Sequence, residues 1–244
     1  MAPHAPRTPS HQQSQEQPSP GLITLARGEQ PEIDLEIKKS HFLARACRTD
    51  SMDEARSFIA DVRSTYPDAR HHCSALTLTD LSDGHALAAP VPPTERSNDD
   101  GEPSGTAGQP MLDVLRGTGL ANTTVVVTRY FGGILLGGGG LVRAYSTSVS
   151  VAVARAPIAY LVGRDVLETQ LNPGDAGRIE AELRARGAAV VDTVWGTDVT
   201  LRIAIDPSDR DSIDACLAQS SSVVAKFRYV ETRQIELDES PSVG

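Results

Sequence analysis

The chain has 244 residues and a formal net charge of −9, with 39% hydrophobic and 4% aromatic residues. This length allows one large domain or two ordinary ones with real cores, and the cores must rely on aliphatic residues because aromatic ones are scarce. The negative charge argues against broad non-specific binding of DNA or membranes, which requires many Lys and Arg contacts. Three cysteines without a C-x-x-C pair, no signal-like segment and no apolar run of membrane-spanning length together predict a cytoplasmic protein.

The first folded elements predicted along the chain are two β-strands. Residues 1–20 are rich in Pro, Ser and Gln and are predicted to form a disordered tail. Polar and apolar residues alternate over residues 32–38, which predicts a half-buried strand, and residues 41–48 are its predicted continuation or antiparallel partner. Lys38 and Lys39 lie between the two, where composition alone favours a solvated strand end.

A helix, a strand and a long loop follow. Ser51 is a predicted helix N-cap, and the helix ends near Tyr66. The histidines of His71-His72-Cys73 precede a strand over residues 74–79. His71 and Cys73 share a strand face, but no third metal ligand is identifiable, so a structural or substrate-contacting histidine is favoured and no metal or cofactor is predicted. Residues 80–98 are poorly periodic and predict a mobile loop.

The stretch from Asp99 to Ser146 is the most distinctive part of the chain. An acidic loop punctuated by Gly and Pro leads to a short helix and then to a β-branched run, Thr124 to Thr128, typical of a buried strand. Arg129-Tyr130-Phe131 ends that strand. Glycine clusters and a helix from Leu141 follow, and so many glycines imply positive φ angles or close approach of another group to the backbone.

Four sequence blocks in this part of the chain closely resemble the YigZ/IMPACT family. They are E-I-K-K-S-x-F from Glu36, H-H-C from His71, D-D-G-E-P-S-G-T-A-G-x-P from Asp99, and R-Y-F-G-G-I-x-L-G-x-G-G-L-V-R-A-Y from Arg129. The resemblance covers roughly residues 21–158, and the rest resembles the smaller domain of bacterial members. One departure is Leu135, where the family commonly has a lysine, and this removes a cation from the glycine loop.

The remainder of the chain predicts a second, smaller domain. Apolar alternation indicates strands over residues 160–171, 190–194, 199–205 and 223–237, with helices from Asn172 to Gly187 and from Pro207 to Ala218. The order βαββαβ predicts a ferredoxin-like sandwich. Trp195 and Phe227 are predicted to lie in its core.

The predicted fold class is therefore α+β, with two domains. The resemblance implies that residues 21–158 are similar to the second domain of ribosomal protein S5, and that residues 159–238 resemble a C-terminal domain of elongation factors; residues 239–244 are a predicted tail. Residues 159–244 hold nine Lys and Arg against fifteen Asp and Glu, a net charge of −6, whereas residues 21–158 carry −3. Any nucleic-acid contact is therefore expected on the large domain.

The candidate binding site combines turn, loop and strand-end residues of the large domain. Glycine turns that lead into a helix expose N–H groups to phosphate, cations add charge-assisted contacts, and aromatic rings stack on bases. A structural interpretation is equally open, in which the glycines permit close packing and Arg143 pairs with Asp99, Asp100 or Glu102. Ser104 and Thr106 are also candidate caps of the next helix. The candidate residues for RNA or phosphate are Lys38, Lys39, His72, Asp100, Gly101, Glu102, Ser104, Gly105, Thr106, Arg129, Tyr130, Phe131, Gly132, Gly133, Gly138, Gly139, Gly140 and Arg143.

Three functions are compatible with these residues. The first, implied by the family resemblance, is a translation-linked regulator that binds RNA or the ribosome through the large domain. The second is an enzyme or binding protein for a phosphorylated or nucleotide-like small molecule, and the third is a protein-binding adaptor. No complete catalytic constellation, Walker A sequence or G-x-G-x-x-G fingerprint is present, so catalysis is not favoured.

Overall fold

The computed structural model describes residues 21–28, 30–80, 92–221 and 225–237. The predicted tails at residues 1–20 and 239–244, and most of the predicted loop at 80–98, lie outside these ranges. The described helices and strands are β1 (Leu22–Leu25), β2 (Ile33–Ile37), β3 (Ser40–Arg48), α1 (Met52–Thr65), β4 (His71–Leu78), β5 (Thr94–Asn98), α2 (Gly108–Thr118), β6 (Thr123–Tyr130), α3 (Gly138–Arg155), β7 (Ile158–Leu171), α4 (Pro173–Arg184), β8 (Ala189–Trp195), β9 (Val199–Ile205), α5 (Arg210–Ser220) and β10 (Arg228–Leu237).

The first sheet has the strand order β2-β3-β6-β4-β5, and all its neighbouring strands are antiparallel. Alternate residues of β3, among them Phe42 and Ala44, join side chains of α2 and α3 in the main core. On the other face, α1 packs Ala55 against Leu76 and Leu78 of β4. The central strand β6 is buried on both faces, which explains why its sequence is a continuous apolar run rather than an alternating one.

The second sheet is built around the long strand β7. By register, β10 lies along one side of β7, and β9 followed by β8 lies along the other. Apolar residues of α4 and α5, such as Ile179 and Ile213, pack on Leu201 and Ile203 of β9. The element order β7-α4-β8-β9-α5-β10 is the predicted βαββαβ order. The chain is thus a mixed α+β protein with two antiparallel sheets.

Strand β1 joins the second sheet although it comes first in the chain. Leu22 pairs with Leu161, and the antiparallel ladder continues to the end of β1. The Thr24 hydroxyl also donates to the Ala121 carbonyl at 2.9 Å, just before β6 of the first sheet. The first described strand therefore connects the two sheets.

An ion pair makes a second connection between the sheets. Arg48, at the end of β3, donates to the Glu236 carboxylate of β10 at 2.6 Å and to Asp50 at 3.0 Å, and only 7% of its side chain is exposed. Burial opposes the charged form of Asp50, but hydrogen bonds from Arg48 and Asn122 outweigh it and lower its pKa. The guanidinium is therefore held by carboxylates from both parts of the chain.

Three predictions about the elements need correction. Strand β5 lies inside the segment predicted as a loop. It was missed because its sequence is strongly polar and shows no apolar alternation. Helix α3 begins at Gly138 rather than Leu141, because its first turn consists of glycines. Phe227 is buried as predicted, but Trp195 is 62% exposed, since it lies at the end of an edge strand.

Among the described residues, no helix combines the length and the apolar character needed to cross a membrane.

Replacing Glu236 with Gln tests the connection through Arg48. We expect the free energy of unfolding to fall by about 1–2 kcal/mol, because a largely buried guanidinium loses one of its two charged acceptors. Urea denaturation followed by circular dichroism measures it. The matched control is Glu231→Gln on the same strand, which removes an exposed pair with Arg233 and should leave stability nearly unchanged. Equal effects of the two substitutions would contradict a special role for the Arg48 contact.

Candidate functional site

Asp99 organises the acidic loop between β5 and α2. Its carboxylate accepts hydrogen bonds from the backbone N–H groups of Gly105, Ala107 and Gly108, at 2.7 to 3.0 Å. Two of these donors belong to the start of α2, so Asp99 satisfies helix N–H groups from eight and nine residues upstream. Thr106 instead donates to the Pro103 carbonyl, and Ser104 is exposed, so the prediction that either residue caps α2 is wrong.

The next residue, Asp100, fastens the loop to α1 and β4. Its carboxylate accepts from Arg63 at 2.9 Å and from the His72 backbone N–H at 2.6 Å. Burial opposes its ionisation, but these two hydrogen bonds outweigh burial and lower its pKa. Asp100 and Gly101 both have positive φ angles, 42° and 85°, which turn the chain sharply at this point. Asp100 therefore acts as a structural acceptor.

Glu102 lies at the centre of a buried network of hydrogen-bonded side chains. Arg129 donates to its Oε1 at 2.6 Å, with side-chain exposures of 3% for Glu102 and 8% for Arg129. The Tyr145 hydroxyl donates to the same oxygen at 2.9 Å, and the Cys73 thiol contacts that hydroxyl at 3.3 Å. This network links the acidic loop, β6, α3 and β4.

This buried network is unsuited to nucleophilic chemistry. Burial raises the pKa of Cys73 to about 12, and burial likewise raises the pKa of Tyr145. Both groups therefore stay protonated at neutral pH, and a thiol attacks only as its thiolate. The histidines are also occupied, since His72 is buried with its Nδ1 3.0 Å from the Thr128 hydroxyl, and the His71 Nδ1 lies 2.9 Å from the Asp100 carbonyl.

The guanidinium of Arg129 is stacked between two aromatic rings. Its central carbon lies 5.5 Å from the ring centroid of Phe42 and 5.6 Å from that of Phe131. Its Nε–H has no hydrogen-bond acceptor among the described residues, and the π faces offset part of that cost. The Phe42 ring is buried, whereas Phe131 is 54% exposed. Arg129 thus supports an aromatic ring that faces solvent.

A two-lysine turn lies beside that ring. Lys38 and Lys39 connect β2 to β3 with φ angles of 49° and 62°, the positive values of a tight hairpin turn. Both lysines are exposed, and neither forms an ion pair with a described residue. Gly132 packs directly on this turn, since a Cβ at Gly132 would lie 1.9 Å from the Lys39 carbonyl oxygen.

The glycine loop then leads into an uncapped helix. Helix α3 starts after Gly137, and it has neither a side-chain cap nor an acidic residue in its first turn. Arg143, on the second turn, is exposed and makes no ion pair within the described part of the chain. We use the name turn–loop surface for Lys38, Lys39, Phe131 to Gly140 and Arg143.

The structure divides the candidate residues between the interior and the turn–loop surface. The structural interpretation of Arg143 as a partner of Asp99, Asp100 or Glu102 is wrong, because those carboxylates are held by backbone N–H groups, Arg63 and Arg129 respectively. Tyr130 lies at the edge of the surface, where its hydroxyl donates to Asp68 at 2.8 Å. His72, Asp100, Glu102 and Arg129 support the site from within, and Gly101, Ser104, Gly105 and Thr106 belong to the acidic loop.

Two contributors were not among the candidate residues. Asp99 organises the loop, and its only sequence signal is an acidic residue ahead of a run of small residues whose N–H groups need acceptors. Tyr145 joins Glu102 to the core and lies edge-on to Phe42, with ring centroids 5.3 Å apart. Its position on the buried face of a predicted helix indicates burial but not its hydroxyl partner.

Substituting Gly132 by Ala tests the contact between the glycine loop and the lysine turn. A methyl group there would overlap the Lys39 carbonyl, so we expect a loss of roughly 1–3 kcal/mol in the free energy of unfolding. The control is Gly139→Ala in the first turn of α3, where a Cβ meets no atom within 4 Å. Urea denaturation should show the control unchanged or slightly more stable, and an unperturbed Gly132→Ala variant would contradict the close packing.

Replacing Asp99 with Asn tests the loop anchor through pH. Burial opposes the ionised carboxylate, but the N–H groups of Gly105, Gly108 and Ala107 outweigh it and lower the pKa of Asp99 below 3.8. Such a group stabilises the fold above its unfolded pKa and loses that contribution as the pH falls through its folded pKa. We expect Asp99→Asn to cost about 1–3 kcal/mol at pH 7 and to flatten the loss of stability below pH 4.

Denaturation series from pH 2 to pH 7 measure this prediction. The exposed Asp53→Asn substitution is the control, because 92% of that side chain is exposed and no comparable anchor is lost. An Asp99→Asn variant with the native pH profile would show that the carboxylate charge contributes nothing to the fold.

Comparisons with known proteins agree on one family. The Impact N-terminal domain family matches residues 38–153, and a domain of unknown function, DUF1949, matches residues 169–222. The chain is 37% identical to the Escherichia coli IMPACT family member YigZ over 76% of this chain and 87% of that protein. A crystal structure described as that of a hypothetical protein aligns with a TM-score of 0.58 and 33% identity, over 87% of this chain and 98% of the other.

A structure of the two-domain translational regulator Yih1 is more distant. It shares 26% identity over 63% of this chain and 54% of that one, with a TM-score of 0.33. The two domain matches and the relative from Escherichia coli lead to one conclusion: the chain belongs to the IMPACT family and has the two-domain form of its YigZ-like bacterial members.

Proposed function

We propose that this chain is a translation-linked regulator whose large domain binds RNA, free or within the ribosome, through the turn–loop surface. The observation that carries the proposal is the two-lysine turn. Lys38 and Lys39 both occupy the left-handed region, where non-glycine residues are strained, and an Asn-Gly turn would suit the same backbone better. Because two exposed, unpaired lysines keep this strained backbone, a role in binding is favoured over a role in folding.

The neighbouring groups complement the lysines in the way that RNA requires. Phe131 presents an exposed ring for stacking on an unpaired base, and its support by Arg129 keeps that ring in place. The uncapped start of α3 and the free Arg143 add N–H donors and charge for phosphate. The lysine turn and the Phe131 ring lie close together, since Gly132 packs on the turn and follows Phe131 directly.

Net charge limits the kind of binding that we propose. The large domain carries −3, so a few local cations act against a repulsive background. Affinity then depends on stacking and positioned contacts more than on counterion release, and broad DNA binding is not expected. A short single-stranded or looped RNA segment fits this balance better than a long duplex.

We also infer that the two parts of the chain have the fold subtypes implied by the family resemblance, an S5 domain 2-like domain and a ferredoxin-like, elongation-factor-like domain. The strand order β10-β7-β9-β8 supports the second inference, because it is the order in which a βαββαβ chain forms a ferredoxin-like sheet. Both likenesses favour a role close to the translation machinery.

Changing the turn to Asn-Gly separates binding from folding. The double variant Lys38→Asn, Lys39→Gly removes two cations while relaxing the backbone, so we expect unchanged or higher stability and at least a tenfold loss of affinity for a labelled 16-nucleotide RNA at 100 mM KCl. Phe131→Ala should weaken binding about 5- to 100-fold if the ring stacks on one base. Fluorescence anisotropy measures affinity, and urea denaturation confirms folding.

The control is Lys226→Gln, which removes one exposed cation from the other part of the chain and should leave RNA affinity unchanged. Co-sedimentation with ribosomes should follow the same ranking of variants. Native affinity in the Asn-Gly variant, or no RNA binding by the parent chain even at 50 mM KCl, would refute the proposal. Competition by mononucleotides at the concentration of the RNA would support the small-molecule alternative instead.

A further inference from the structure

Two large apolar residues are exposed at the end of β8, on opposite faces of the second sheet because they are consecutive in the strand. Val194 and Trp195, consecutive in β8, are 55% and 62% exposed. Trp195 is the only tryptophan in the chain. Exposed tryptophan is a common anchor of protein interfaces, because one ring buries a large area on binding with little loss of side-chain freedom.

The same residues lie on an open sheet edge. Strand β8 pairs with β9, with Val194 opposite Thr200 and Trp195 opposite Val199, and no described strand lies on its other side. The backbone groups along that outer side lack strand partners within the described residues. An edge of this kind accepts a further strand through main-chain hydrogen bonds.

Strands β2, β5 and β10, which also lie at sheet edges, carry more charged residues than β8 does. Strand β5 reads Thr-Glu-Arg-Ser-Asn, β2 carries exposed Asp34 and Glu36, and β10 carries exposed Arg228, Glu231 and Arg233. Strand β8 contains a single charge, at Asp192, and five residues of high β-propensity: Val190, Val191, Thr193, Val194 and Trp195. After a bulge near Val191 its ladder is regular to Trp195.

The charge around this edge identifies the chemistry of its partner. Asp192 and Asp198 stand on either side of the Val194-Trp195 pair, are exposed, and form no ion pair with a described residue. Arg202 lies opposite Asp192 in the ladder and interacts with its charge, but its ion pair is with Glu168 at 2.7 Å, and Arg184 pairs with Glu180 at 2.9 Å. Residues 159–244 carry a net charge of −6.

A second copy of the chain is a poor occupant of the edge. Antiparallel pairing of two β8 strands would bring two negatively charged surfaces together, and like charges across a ladder are destabilising. The same negative charge, with no unpaired cation described beside it, disfavours RNA. An extended segment rich in Lys or Arg meets the carboxylates with opposite charge.

We propose that β8 binds an extended basic segment of a protein partner, which adds to the sheet as a further strand and places an apolar side chain against Trp195. Main-chain hydrogen bonds along the outer side of β8 supply affinity, and Asp192 and Asp198 select Lys or Arg at flanking positions. This site is separate from the turn–loop surface, so its success or failure does not depend on RNA binding.

Fluorescence of the single tryptophan reports directly on this site. The probe is a ten-residue peptide that alternates Lys and Val, titrated into the full chain. We expect a blue shift of the emission and at least a threefold fall in the acrylamide quenching constant as the ring becomes covered. A peptide with Glu in place of Lys should produce neither change.

Two further comparisons test the geometry. Methylating the backbone nitrogens of alternate peptide residues removes one row of main-chain donors, and methylation of the row that faces β8 should weaken binding at least tenfold. The double variant Asp192→Asn, Asp198→Asn should weaken it several-fold, whereas Tyr229→Ala, which removes an exposed ring from β10, should have no effect. Circular dichroism verifies that each variant is folded.

The proposal is overturned if the folded parent chain gives no protection of Trp195 with the basic peptide, or if neither methylated series weakens binding. Sedimentation velocity provides another critical result. A dimer that forms without peptide and shows the same blue shift would make a second copy the occupant, and protection of Trp195 by RNA would assign the edge to nucleic acid; either result refutes the proposal.

Discussion

The buried ion pair between Glu102 and Arg129 holds the large domain's site together. Each partner is almost completely buried, and removing either would leave an unpaired charge in the core at a cost of about 3–5 kcal/mol. The Glu102 oxygen also accepts from Tyr145, so the acidic loop, β6 and α3 meet at one atom. Because the exposed Phe131 ring stacks on the outer side of the Arg129 guanidinium, the Glu102–Arg129 ion pair determines where that ring lies. The stretch from Asp99 to Ser146 is distinctive in sequence because its three segments form one interaction.

The same stretch shows what sequence alone can and cannot predict. Three elements were predicted correctly from local signals: β2 from its alternation, α1 from its Ser51 cap and β6 from its apolar run. Glu102 and Arg129 gave no sign of burial, because charged residues are usually exposed and only a partner makes burial tolerable. Asp99 was not identified as a helix cap since its donors lie six to nine residues away. Long-range pairing carries little local signature.

Similar reasoning explains the errors outside the site. Strand β1 was not predicted, because four residues are too few to show a periodicity, and their pairing with β7 depends on a segment more than a hundred residues later. Trp195 was predicted to be buried because aromatic residues usually are, yet its strand lies at the sheet edge. In that case the departure from the pattern is itself informative, since an exposed tryptophan without a structural role in the described chain suggests an interface. The strained lysine turn is informative for the same reason.

The two proposed surfaces have opposite chemistry and lie on different sheets of one chain. The turn–loop surface offers cations and an aromatic ring, which suit RNA, whereas β8 offers carboxylates and apolar side chains, which suit a basic peptide. RNA-bound assemblies contain both ligands together, because proteins that neutralise phosphate are rich in Lys and Arg. Strand β1 and the Arg48–Glu236 pair connect the sheets, so binding at one surface raises the local concentration of a ligand for the other. The two proposals taken together therefore imply that weak contacts at each surface combine, so that an RNA together with its basic protein is held more firmly than either ligand alone.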